Sequence, residues 1–95
     1  MNVIFKYQMP IQEKFDLKLP KDAKIIRVDD VDGMFYLWAI VDTEKEPEIR
    51  HFECYKTGHP ILTPLEDLVY IGFCTLFIMQ ELCLYIFENT VKHEV

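Results

Sequence analysis

LVYIGFCTLFIMQELCLYIF, residues Leu68–Phe87, is the stretch whose reading decides the fold. Its one charge is Glu81, and its length matches a membrane-spanning helix. Three features argue against a span. Gln80-Glu81 lies inside it, at a depth where a carboxylate is costly in lipid. The flanks carry Glu66-Asp67 and Glu88 rather than a basic cluster. The run is also rich in Ile, Phe, Tyr, Val and Cys, which fit a pleated sheet better than a helix. Two strands, Tyr70 to Met79 and Leu82 to Glu88, joined by a tight turn at Gln80-Glu81, account for it, so no membrane partner is expected.

Upstream, the same extended pattern recurs. Val3 to Tyr7 reads as a strand that Pro10 ends, and Phe15, Leu17 and Leu19 alternate with Asp16 and Lys18 before Pro20. Lys24 to Asp29 is a third strand. Asp32-Gly33 follows as a hairpin signal, because glycine accepts the positive φ of a primed turn. Met34 to Val41 returns with apolar residues at both parities, which places it centrally or at an interface. The polar DTEKEP loop, Asp42 to Pro47, leads to a strand over Glu48 to Tyr55. A short helical turn is expected from Thr63, and the tail from Asn89 to Val95 is expected to fray. The predicted fold is mainly β: a single domain over residues 1–95, a small antiparallel sandwich or partly open barrel of about seven strands with at most one short helix.

Composition bounds the function. The 95 residues are 51% hydrophobic and 14% aromatic, while a chain this short buries only about two-thirds of its unfolded surface. Apolar surface is therefore left over for a second chain, and a homo-oligomer is expected. The net charge of −6 forfeits the attraction that phosphate backbones exert on basic clusters, so no nucleic-acid polymer is expected as a partner. Cys54, Cys74 and Cys83 are odd in number, lack CxxC spacing and follow no signal-peptide pattern. Reduced thiols in a cytoplasmic protein are the expectation.

No P-loop, GxGxxG, HExxH or GxSxG occurs, and the chain contains no serine. Cys54 with His51 or His59 is the one conceivable nucleophilic pair, but residues 51 and 54 point to opposite faces of a strand. His51, Cys54, His59, Cys74, Cys83 and His93 lack zinc-knuckle spacing. Asp29, Asp30 and Asp32 lack the register of a calcium loop and read as a solvated hairpin tip. No catalytic residue, metal or cofactor is expected. The stretch Arg50 to His59, RHFECYKTGH, gathers Arg50, Lys56 and two histidines on an otherwise acidic chain. Thr57 and Gly58 add exposed backbone N–H groups that suit an anion. A small anionic ligand is expected there, on Arg50, Lys56, Thr57, Gly58 and His59, with Tyr36, Trp38 or Tyr55 as a platform for a base. The competing readings are structural: a turn that needs Gly58 for its φ, and Trp38 as a core anchor.

Several blocks together resemble an uncharacterised family of short proteins found in phages and in bacterial genomes carrying prophages. They are Phe5-Lys6-Tyr7, Pro20 to Ile25, Leu37 to Asp42 (LWAIVD), Lys56 to Ile61 (KTGHPI), Tyr70 to Gly72, and Leu84 to Glu88. The chain departs from that pattern at Lys56, where glycine is usual, and at Phe73 to Thr75, where Thr-Phe-Gln is commoner. The resemblance implies a phage or prophage context and the host cytoplasm. By analogy of context, it implies a non-enzymatic oligomer that sequesters a nucleotide-type immune signal. The alternative is a protein–protein interaction module that inhibits or assists a host or phage protein.

Overall fold

In the computed structural model, which describes residues 1–91, the chain forms seven strands. They are β1 (Asn2–Met9), β2 (Lys14–Pro20), β3 (Lys24–Val31), β4 (Met34–Asp42), β5 (Pro47–Lys56), β6 (Leu68–Ile78) and β7 (Gln80–Asn89). One 3-10 turn, Leu65–Asp67, is the only helical segment among the described residues. All pairings are antiparallel, in a three-stranded sheet ordered β1-β4-β3 and a four-stranded sheet ordered β2-β5-β7-β6. The predicted sandwich is the fold found, and it does not close into a barrel.

Leu68–Phe87 is a hairpin rather than a span, and no helix among the described residues is long and apolar enough to cross a membrane. Its turn falls earlier than Gln80-Glu81. Ile78 pairs with Gln80 and Phe77 with Glu81, so the chain reverses at Met79, whose φ is 60°. No glycine or Asn-Gly marks this turn. Its register follows from burying Cys74, Leu84 and Ile86 on one face, since a one-residue slip would turn them outward. Asp32 and Gly33, at φ 52° and 80°, make the expected primed turn between β3 and β4.

Strand β4 is central to its sheet. Phe35, Leu37, Ala39 and Val41 are buried, while Met34, Tyr36, Trp38 and Ile40 face outward. Opposite them, Phe15 and Phe52 stack with centroids 5.2 Å apart beside Leu19 and Ile86. Each large side chain buried here contributes about 1.5–3 kcal/mol. One edge of the sandwich is sewn shut. Thr75 donates its amide (2.8 Å) and hydroxyl (3.1 Å) to Asp30 Oδ1, joining β6 to β3. Asp30 is thus a half-buried cross-link and not part of a solvated tip.

Two boundary expectations need correcting. The 3-10 turn begins at Leu65 after Pro64, because the Thr63 hydroxyl is committed elsewhere, to Glu53 (2.7 Å). The tail is held through Val91: Thr90 donates to the Asp67 carbonyl (2.8 Å) and Val91 to Asn89 Oδ1 (3.0 Å). The remainder of the predicted tail lies outside the described residues. The molecule is flat, 43 × 33 × 16 Å, and its radius of gyration of 13.9 Å exceeds the about 12 Å of a compact chain this long. The β6–β7 tip projects from it, with Phe77, Ile78 and Met79 exposed.

Candidate functional site

The seven residues singled out from sequence fall in three places. Arg50 lies on the core side of β5, where Nε and Nη2 each donate to the Glu88 carboxylate at 2.6 Å. Both side chains are about 15% exposed or less, and Arg50 Nη1 also donates to the Ala23 carbonyl. Hydrogen bonding to Glu88 holds the guanidinium's pKa above its ordinary value. The charge is spent joining β5, β7 and the β2–β3 turn.

Tyr36 and Trp38 stand on the outer face of the three-stranded sheet. The Arg27 guanidinium lies 4.2 Å over the Trp38 ring, and the Lys6 ammonium 4.3 Å over Tyr36. Arg27 is held in turn by Asp29 at 2.8 Å. Register explains the stacking, because Lys6 and Arg27 flank Trp38 on β1 and β3. These rings are covered by cations from their own sheet.

Lys56, Thr57, Gly58 and His59 form the turn that leaves β5. His59 donates its amide to the Lys56 carbonyl (3.1 Å), and Gly58 has φ 88° with nothing within 4 Å of where a Cβ would stand. Glycine is needed there for its dihedral rather than for space. Beneath the turn a cleft of about 190 Å³ opens between strands of the four-stranded sheet and the β1–β2 connection. Its apolar wall is Ile11, Cys54, Leu76, Leu82 and Leu84; its polar rim is Gln12, Glu13, Lys56 and His59. His59 also borders two larger depressions, one of about 440 Å³ shared with Thr57, Glu81 and Cys83 and the other of about 360 Å³ shared with Lys14, Tyr55 and Thr63. Tyr55 lines the second of these depressions, and neither it nor Tyr36 nor Trp38 lines the cleft itself.

Sequence reasoning missed Glu53. It is 3% exposed although it points away from the main core. It accepts hydrogen bonds from the Tyr55 hydroxyl, from Thr63 Oγ1 (2.7 Å) and from Asn89 Nδ2 (2.7 Å). Burial raises its pKa, but the three donors outweigh burial and hold the carboxyl below its ordinary value. This clasp pins the segment after His59 against β5 and β7, and so fixes the side of the neighbouring depression lined by Pro60, Leu62 and Thr63. A lone acidic residue inside HFECY was the available signal, since a glutamate between buried positions needs donors.

The buried thiols of Cys54 and Cys74 are poor nucleophiles. Burial pushes Cys54 up to about 11, and burial with Asp30 and Asp29 nearby pushes Cys74 up to about 12. A thiolate–imidazole pair at Cys54 and His59 gains nothing from this environment. Among the described residues no group of three His, Cys, Asp or Glu side chains is arranged to hold a metal ion; His93 lies outside them.

No curated protein and no solved structure matches the chain. A family profile described as a domain of unknown function, DUF7352, matches residues 1–95, and the chain belongs to that family.

Proposed function

We propose that this protein is a non-enzymatic binder of a small anion that carries an apolar portion, held in the cleft beneath the Lys56–His59 turn. The observation behind this reading is the pairing of an apolar wall with Lys56 and His59 at the mouth, on a chain of net charge −6. An apolar cavity with a few convergent polar groups is what small-ligand sites look like. The ligand's charge meets Lys56 and the backbone N–H groups of the turn, and its apolar part lies against Leu76, Leu82 and Leu84. In the phage setting implied by the sequence resemblance, the ligand is a nucleotide-type immune signal, sequestered in the host cytoplasm by a homo-oligomer. That form of the reading extends from the cleft past His59 into the neighbouring depression, where Tyr55 serves the base and Lys14 is a second cation. It gains no support from Trp38, which stands elsewhere.

Calorimetric titration against short aliphatic carboxylates, phosphate monoesters, cyclic di- and oligonucleotides and ADP-ribose derivatives tests both forms. A bound member should lose affinity about tenfold in Lys56→Ala, the loss of roughly one charge-assisted hydrogen bond. Silence across the panel would sink the ligand reading.

The exposed tip Phe77, Ile78 and Met79 favours a second reading, a protein–protein interaction module. It predicts that Phe77→Asp abolishes capture of a stoichiometric partner from infected-host lysate, while Lys56→Ala leaves capture intact.

A further inference from the structure

We propose that the free edge of β1 is a dimer interface, pairing antiparallel with β1 of a second copy about a two-fold axis through Phe5. This specifies the oligomeric part of the reading above and rests on it, but it does not depend on what the cleft binds.

The two sheets present four edges: β1, β3, β2 and β6. Natural sheets protect such edges with bulges, charges, prolines or cross-links. Here β3 and β6 protect one another. Each carries a register irregularity, at Ile25/Arg27 and Tyr70/Gly72, and Asp30 occupies the Thr75 amide. Strand β2 alternates Lys14, Asp16 and Lys18 along its outer side and ends at Pro20. Strand β1 has only the weakest of these devices, one charge. It runs from Asn2 to Met9 in unbroken register with β4, without proline or bulge. Its single charged side chain, Lys6, is drawn over Tyr36. Ile4 is 60% and Phe5 47% exposed. Phe5 shares a parity with buried Met9 and half-buried Tyr7, whose ring it meets edge-on at 6.4 Å. It is a core-side phenylalanine without a cover.

The register follows from symmetry and charge. A two-fold axis perpendicular to the sheet keeps core side with core side and sets one residue opposite itself. Centring on Phe5 places Phe5 against Phe5, Val3 against Tyr7, Ile4 against Lys6 and Asn2 against Gln8 of the second copy. Phe5–Phe5 is an aromatic pair and Val3–Tyr7 an aromatic–β-branched one, both of which stabilise a ladder, and no pair sets like charges opposite each other. Centring on Lys6 sets two ammonium groups face to face. Centring on Ile4 shortens the ladder and leaves Tyr7 beyond the end of the opposing strand. The Phe5 register joins the two three-stranded sheets into one continuous sheet and covers both Phe5 rings.

Sedimentation equilibrium should find a species of twice the 11.4 kDa chain mass. Ile4→Lys sets a lysine opposite Lys6 of the second copy at two symmetry-related positions. It should weaken association about tenfold with an unchanged far-ultraviolet circular dichroism spectrum. In a Cys83→Ser background, Phe5→Cys should crosslink under mild oxidation and Lys6→Cys should not. A monomer at every concentration reached, or a dimer that crosslinks through Lys6→Cys but not Phe5→Cys, overturns the proposal. Titrating the Ile4→Lys monomer with the ligand panel keeps the two questions apart, since the cleft should still bind.

Discussion

Glu53 is a buried carboxylate whose three hydrogen-bond donors are all neutral side chains, and its protonation has a defined consequence. Its folded-state pKa lies below the ordinary 4.5, so the folded state binds its proton less readily than the unfolded chain. The stabilisation is present above 4.5 and is lost as pH falls through the lower folded value. Glu53→Gln should therefore destabilise the protein at pH 7 by about 1–3 kcal/mol and flatten the acid limb of a stability–pH curve measured by urea unfolding. An acid limb identical to that of the wild type would contradict the clasp. Gly72 allows a sharper contrast. Its φ is 145°, and a Cβ there would stand 2.9 Å from Val28 Cβ, whereas Gly58 has open space. Gly72→Ala should cost about 2–4 kcal/mol, from strain plus overpacking, and Gly58→Ala about 1 kcal/mol. Equal costs in chemical denaturation would argue against the close approach of β6 to β3. Arg50→Met should cost about 3 kcal/mol in the same assay, since it strands the Glu88 carboxylate in a site that is 14% exposed.

At the scale of the strands, one carboxylate, Asp30, accepts both Thr75 hydrogen bonds across the seam between β3 and β6. Asp30→Ala removes the acceptor for the Thr75 amide. Hydrogen exchange at Thr75 should then accelerate by at least about tenfold, while amides in β4 stay protected; unchanged exchange would show that the seam holds without Asp30. The elements themselves were legible in the sequence where short-range chemistry is decisive. Phe15, Leu17 and Leu19 alternate with charges, Asp32-Gly33 turns the chain, and Glu81 breaks an otherwise apolar run. The turn at Met79 was not, because a tertiary register set by Cys74 and Ile86 overrides a tip without glycine or asparagine. Nor was the pairing of β2 with β5 in the four-stranded sheet, which depends on contacts far apart in the chain. The site was legible in part. The lysine and glycine of the Lys56–His59 turn point to the candidate cleft that the turn borders, but Arg50 and Trp38 carry the same residue chemistry in structural roles. Their partners, Glu88 and Arg27, are identified by strand register alone.

At the scale of the molecule, a flat two-sheet body with one sewn edge leaves three features unabsorbed by folding: the cleft under the Lys56–His59 turn, the apolar β6–β7 tip and the bare β1 edge. The fold itself accounts for Arg50 and for the cation-capped rings of Tyr36 and Trp38, so the proposed binding function rests on the cleft. The most direct test is amide chemical-shift mapping by NMR during titration with the anionic ligand panel. The account predicts that a binding member shifts Ile11–Glu13, Lys56–His59 and Leu82–Leu84 while Tyr36 and Trp38 stay in place. Shifts centred on Trp38, or no shift with any member of the panel, would contradict it.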